Sequence, residues 1–143
     1  MNDCIFCKIV KGEIPSKKVY EDNSVLAFLD INPANPGHVL VIPKKHSDAI
    51  FDVSEKELQD MIVVVKKIAE HVRIKMGTDS MNIIQNNGRI SGQIVNHIHF
   101  HIIPRFENDK VIFSYRRVEL SEKDLNEIHE KLREEKKDYG RPW

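Results

Sequence analysis

Long apolar runs, a net charge and any cysteine beyond a single pair are all missing from this chain of 143 residues. No apolar run approaches the roughly 20 residues that span a bilayer, so no membrane-spanning helix is expected. Lys plus Arg total 22 and Asp plus Glu total 22. That balance leaves no global excess of positive charge to gather the phosphates of a nucleic acid polymer. A small anion held by a few placed groups stays open. The segment MNDCIFCKIVKGEIP lacks the basic-then-apolar order of a secretory leader, and the chain reads as cytoplasmic. Cys4 and Cys7 are the whole cysteine complement. A structural disulfide is not expected in a reducing compartment. A C-x-x-C pair there is a candidate for a metal site or a redox pair.

What is present suits one domain with a buried core: 41% of residues are apolar and 31% charged. Lys18 to Asp30 holds two short apolar runs around the turn formers Glu21-Asp22-Asn23, which predicts a hairpin. Ile31 to Gly37, with two prolines and a glycine, reads as a loop. His38 to Ile42 reads as a strand stopped by Pro43. Ser54 with Glu57 makes a capping-box pattern. Leu58, Met61, Ile62, Val65, Ile68, Ala69, Val72 and Met76 then form one apolar stripe on a long helix, with Gly77 as its C-cap. His71 lies off that stripe and reads as solvent-facing. Met81 to Gln85 is a strand, Asn86 to Gly92 a turn-rich loop, and Asn96 to Ile103 a strand. A further strand is expected over Val111 to Val118. Ser121 to Lys137 reads as a charged helix capped by Ser121, with Leu125, Ile128 and Leu132 inward and His129 structural or exposed. The order predicts an α+β fold: an antiparallel sheet of about five strands, one long helix and a C-terminal helix.

The segment His97-Ile98-His99-Phe100-His101-Ile102-Ile103 carries the chemistry. Side chains alternate faces along a strand, so His97, His99 and His101 form one row, and Ile98, Phe100 and Ile102 face the core. Burying three imidazoles without partners would be expensive. Two chemistries fit the row. Imidazole is the commonest metal ligand, and an imidazole nitrogen can attack phosphorus to form a covalent intermediate.

The pattern His-φ-His-φ-His-φ-φ, with φ apolar, resembles the histidine-triad signature. Cys4 to Ile9, Phe28 to Pro33 and Pro36 to His46 agree with it in order. The chain is similar to histidine-triad (HIT) proteins of the nucleotide-binding, Hint type, over residues 4 to about 105. The resemblance implies a single HIT domain over 1–143, with 106–143 a charged C-terminal extension. It also implies hydrolysis or transfer of a purine nucleoside 5′-monophosphate unit, as from a phosphoramidate, through a nucleotidyl-histidine. His99 is then the nucleophile, His101 holds phosphate oxygens, and His38 supports the row. Asn86 and Gln93 contact phosphate, and Asp30 takes the ribose hydroxyls. Ile5, Phe6, Ile9, Phe28 and Ile31 wall the base.

Some such proteins hold zinc on residues that here are Cys4, Cys7, His46 and His97. Two thiolates and two imidazoles would close a tetrahedral structural site; the rival is an empty site in which His97 stays polar beside the phosphate. A homodimer joined across two sheets is implied as well. One position departs: relatives commonly carry Ser or Thr where Ile94 stands, which puts hydroxyl assistance to the leaving group in doubt. The His-Ile-Ile-Pro-Arg ending keeps a dinucleoside polyphosphate hydrolase open, with Arg105 on an outer phosphate. A non-catalytic, zinc-stabilised nucleotide-binding protein and a redox protein using Cys4 and Cys7 are the other classes.

Overall fold

The computed structural model describes residues 3–134, which fall into two compact units divided between Val111 and Ile112. The first unit opens with a short helix, α1 (Ile5–Val10), followed by β1 (Lys18–Glu21), β2 (Val25–Leu29) and β3 (Val39–Pro43). The long helix α2 (Glu55–Met76), β4 (Met81–Gln85) and β5 (Phe100–Pro104) complete it. The strands form one antiparallel sheet in the order β1-β2-β3-β5-β4.

Local chemistry accounts for most of these elements. Asp22 Oδ1 accepts hydrogen bonds from the backbone N–H groups of Ser24 and Val25, 2.7 and 2.8 Å, which closes the β1–β2 turn. Ser54 Oγ accepts from the Glu57 N–H, and Glu57 reaches back to the Ser54 N–H, so the expected capping box forms. Gly77 ends α2 in the left-handed region, φ 67°, as its C-cap.

β2 and β3 are buried along almost their whole length, because both faces of the sheet are covered. Val25, Ala27, Val39 and Val41 alternate onto the face that packs against Met61, Val65, Ile68 and Val72 of α2. Leu26, Phe28, Leu40 and Ile42 alternate onto the other face, against Phe6 and Ile9 of α1. The functional histidines belong to this second face, where Leu40 is in register with His101.

Several expectations are corrected. Leu58, Met61, Val65, Ile68, Ala69, Val72 and Met76 of the expected α2 stripe do meet the core, but Ile62 is exposed and Val64, outside that stripe, is buried. The triad strand begins only at Phe100. His97 and His99 lie ahead of it outside the sheet, His97 in a bend whose N–H donates to the Val95 carbonyl at 2.9 Å, and the Ile98 N–H donates to the Ser47 carbonyl rather than to a neighbouring strand. Residues 111–118 form no strand. The second unit holds α3 (Glu122–Glu134), with Ser121 Oγ accepting from the Asp124 N–H. Leu125, Ile128 and Leu132 on it are exposed rather than inward, as is His129. The last residues expected in this helix, 135–137, lie outside the described ones. Among the described residues no helix is long and apolar enough to cross a membrane.

Candidate functional site

A slot of about 450 Å³ opens on the α1 side of the sheet. Ile5, Phe6 and Ile9 of α1 form one wall, and Phe28, Asp30, Ile31 and Leu40 line the floor and mouth. His38, His99 and His101 also line it and stand together, with His38 Nε2 2.9 Å from His101 Nδ1 and the His99 and His101 ring centres 4.9 Å apart. Nine residues expected at the substrate therefore meet in one cavity: Ile5, Phe6, Ile9, Phe28, Asp30, Ile31, His38, His99 and His101.

Backbone groups fix which nitrogen of each imidazole carries the proton. A carbonyl only accepts, so the His99 nitrogen 2.7 Å from the His97 carbonyl oxygen, Nδ1, is the protonated one. His99 Nε2 keeps its lone pair. The Ala34 N–H donates to His38 Nδ1, 3.0 Å, so neutral His38 carries its proton on Nε2. That Nε2–H donates to His101 Nδ1 at 2.9 Å, which leaves His101 with its proton on Nε2. The slot is thus offered one bare nitrogen on His99 and one N–H on His101.

Burial keeps all of these rings neutral. It pushes His101 down to about 4, with the neighbouring His99 and His38 adding to the effect, and pushes His97 down to about 4. His99 and His38 are lowered by the same burial. Asp30, 3.6 Å from His38 Nε2, opposes the shift without reversing it.

A second cluster lies beside the slot. One ligand atom each from Cys4, Cys7, His46 and His97 lie within 4.8 Å of one another. The His97 Nε2–H donates to the Pro43 carbonyl at 2.8 Å, so Nδ1 is bare and faces Cys4 Sγ at 3.4 Å and Cys7 Sγ at 3.6 Å. His46 Nε2 meets the Asp48 carboxylate at 2.8 Å, so its bare Nδ1 faces Cys7 Sγ at 3.3 Å. Zinc bonds of about 2.3 Å to sulfur and 2.0–2.1 Å to nitrogen, at the tetrahedral angle, separate S from N by roughly 3.6 Å. The donor set, the bare nitrogens and the spacings all fit such an ion, with Asp48 and the Pro43 carbonyl orienting the two imidazoles from behind. Burial, then the adjacent Cys4 thiol, pushes the Cys7 thiol up, the environment of a sulfur that a bound cation would hold as thiolate.

Asp30, His38 and His101 form another group within 4.8 Å. Here the tautomers forbid a metal. The Ala34 N–H occupies His38 Nδ1, so a metal on Nε2 would strip that ring of its only proton.

Three expected residues stand differently. Gln93 is buried and its amide is spent: Nε2 donates to the Asp48 and Val95 carbonyls, and Oε1 accepts from the Gly88 N–H. It holds the loop, with no donor left for a phosphate. Asn86 is not among the residues that line the slot; it adjoins Gly92, which does, at 3.7 Å from where a Cβ would stand there. Arg105 is engaged twice with Asp109 at 2.7 Å, with Asn82 and with the Val111 carbonyl, so an outer phosphate would have to displace those partners. Ile94 lines the slot, almost wholly exposed, and brings no hydroxyl.

The sequence reading missed Leu40, Asp48, Ala34 and Pro43. Leu40 shares a face with His38 at period two, and Asp48 follows His46 by two residues; both were readable. Ala34 and Pro43 act through backbone atoms that any residue carries.

A model of the HIT domain matches residues 11–108. An uncharacterized HIT-like protein of Methanocaldococcus jannaschii is 52% identical over 130 residues, 91% of this chain and 98% of that one. An adenosine 5′-monophosphoramidase of Candida albicans is 41% identical over 92% of this chain and 90% of its own. The crystal structure of a Zn-bound histidine triad family protein from Mycobacterium smegmatis superposes with a TM-score of 0.73 at 37% identity, covering 92% of this chain and 96% of that one.

Proposed function

The chain belongs to the HIT domain family, and from that premise we propose that it hydrolyses purine nucleoside 5′-phosphoramidates through a nucleotidyl-histidine. The observation that carries this is the bare Nε2 of a buried, neutral His99 lining a largely apolar slot. The base lies between α1 and Phe28, the ribose hydroxyls on Asp30, and the phosphate at His99 and His101. His99 Nε2 attacks phosphorus, the N–P bond forms, and the bond to the leaving amine breaks. The His101 Nε2–H donates to a phosphate oxygen as charge gathers there. With Ile94 in place of a hydroxyl, the amine takes its proton from water. A water molecule then attacks phosphorus, the Nε2–P bond breaks, and the nucleoside monophosphate leaves with His99 restored.

Cys4, Cys7, His46 and His97 would hold a structural zinc ion, which would supply cross-linking rather than chemistry because the four protein side chains would be its ligands. The Zn-bound relative and the phosphoramidase name of another support these assignments. The unpaired thiols fit a reducing, cytoplasmic setting. A single HIT domain with an extension after 105, acting as a homodimer, completes the reading. The dinucleoside polyphosphate alternative loses its residue, since Arg105 is occupied within the fold. The non-catalytic alternative rests on Ile94 alone.

The test is product analysis. Wild type should release AMP from adenosine 5′-phosphoramidate. His99→Ala should abolish release while AMP binding stays within about tenfold. Turnover retained in the variant would overturn the role of His99. AMP plus ATP from diadenosine tetraphosphate, with the phosphoramidate untouched, would overturn the substrate class.

A further inference from the structure

Helix α1 serves two sites at once. Cys4 caps it and Cys7 lies three positions on, so both sulfurs reach the cluster with His46 and His97. Ile5, Phe6 and Ile9, from the same two turns, wall the slot. Phe6 stands edge-on to both His97 and His99, with ring centres 5.8 and 5.2 Å apart.

We propose that Cys4 and Cys7 are positioning residues for the nucleoside: the metal site they share with His46 and His97 anchors α1, so nucleotide affinity and metal occupancy are thermodynamically linked. The proposal rests on the nucleotide-hydrolase reading of the slot. A helix of six residues without a side-chain cap at its N-terminus has little stability of its own. It keeps its place through two sets of contacts. One is the packing of Phe6 and Ile9 on Leu26, Phe28, Leu40 and Ile42. The other is the cysteine cluster, whose partners lie 39 and 90 or more residues away in sequence. Four ligands closing such long loops restrict α1 far more than thiol–imidazole hydrogen bonds do. Once released, the helix would have to be ordered again by the incoming base, at a cost in affinity. Reciprocity then fixes the size of the converse effect: a nucleotide that binds more tightly when metal is present must tighten the metal by the same factor.

The experiment compares zinc-loaded and chelator-stripped wild type. AMP should bind the stripped form about tenfold or more weakly, whereas ribose 5-phosphate, with no base to wall in, should change by less than about twofold. Saturating AMP should raise zinc affinity, in a chelator-buffered titration, by the factor that stripping costs AMP. Amide hydrogen exchange should show protection lost in α1 and kept in α2. The Cys4→Ser/Cys7→Ser double variant should behave as the stripped protein and ignore added zinc. Equal AMP affinity in the two forms overturns the proposal. So does protection lost from α2 as well, which would make the metal a support of the whole fold, and so does a failure to bind zinc. Zinc-loaded protein that binds zinc normally but no AMP overturns the nucleotide reading itself, and the proposal with it.

Discussion

An imidazole becomes a nucleophile, a donor or a ligand according to which nitrogen its neighbours leave bare. In this chain that choice is made by single backbone groups: the His97 carbonyl for His99, the Ala34 N–H for His38, and the Pro43 carbonyl for His97. Burial of the same rings makes protonation unfavourable, and this has a consequence for stability. His101 is held at about 4 in the fold, against about 6.5 for a free imidazole in the unfolded chain. Its ring faces His38 and His99, which push it down, and Asp30, which pulls it up. Between those two values the unfolded chain binds a proton that the folded chain does not. This stabilisation is therefore complete above pH ~6.5 and lost as the pH falls toward 4. The melting temperature should drop by roughly 5 °C or more between pH 7 and pH 5. His101→Asn should shrink that drop. A variant with an unchanged pH profile would mean that His101 titrates alike in the folded and unfolded chains.

At the scale of elements, the loop between β2 and β3 carries both Asp30 and His38, and one side chain ties it down. Asn35 Nδ2 donates to the Pro104 carbonyl at 2.9 Å and to Asp109 at 2.8 Å, while the Asn35 carbonyl accepts from the His38 N–H at 3.1 Å. Asp109 is itself held by Arg105 and by the Phe106 and Val111 N–H groups, which keep its carboxyl far below the usual range. Asn35→Ala should therefore lower kcat/KM about tenfold or more, because a misplaced His38 no longer orients His101. A lowered melting temperature with kcat/KM unchanged would make Asn35 structural only. None of this clamp was legible beforehand, because Asn35 and Asp109 lie 74 residues apart and read as turn formers. α2 was legible end to end, since Ser54, Glu57 and Gly77 are local signals that the backbone obeys. α1 was not, because six residues give too short a period and no side-chain cap. The histidine row was legible at period two even though only His101 lies in the strand.

At the scale of the molecule, β4 has a strand on one side only among the described residues, and an open sheet edge invites a partner. Beside that edge runs an apolar groove between α2 and β4, formed by Ile62, Val65, Ala69, Met81 and Ile83. This face explains why spacing placed Ile62 in the core stripe: the residue is apolar for a surface that the single chain leaves open, with 46% of Ile62 and 47% of Ile83 exposed. Lys66, Glu70, Arg73 and Asp79 rim the groove with both signs of charge, so a second copy turned by a two-fold axis can set opposite charges against each other. The proposed homodimer would pair the two β4 edges and close the grooves on each other. Light scattering should then give a mass of about twice 16.6 kDa for wild type and the single-chain value for Ile83→Lys, a charge buried without a partner at the centre of such an interface. Zinc content should be unaffected by the substitution, because the cluster is built by α1, the segment after β3 and the chain before β5. A wild-type monomer, or an Ile83→Lys protein that still dimerises, would place the interface elsewhere or remove it.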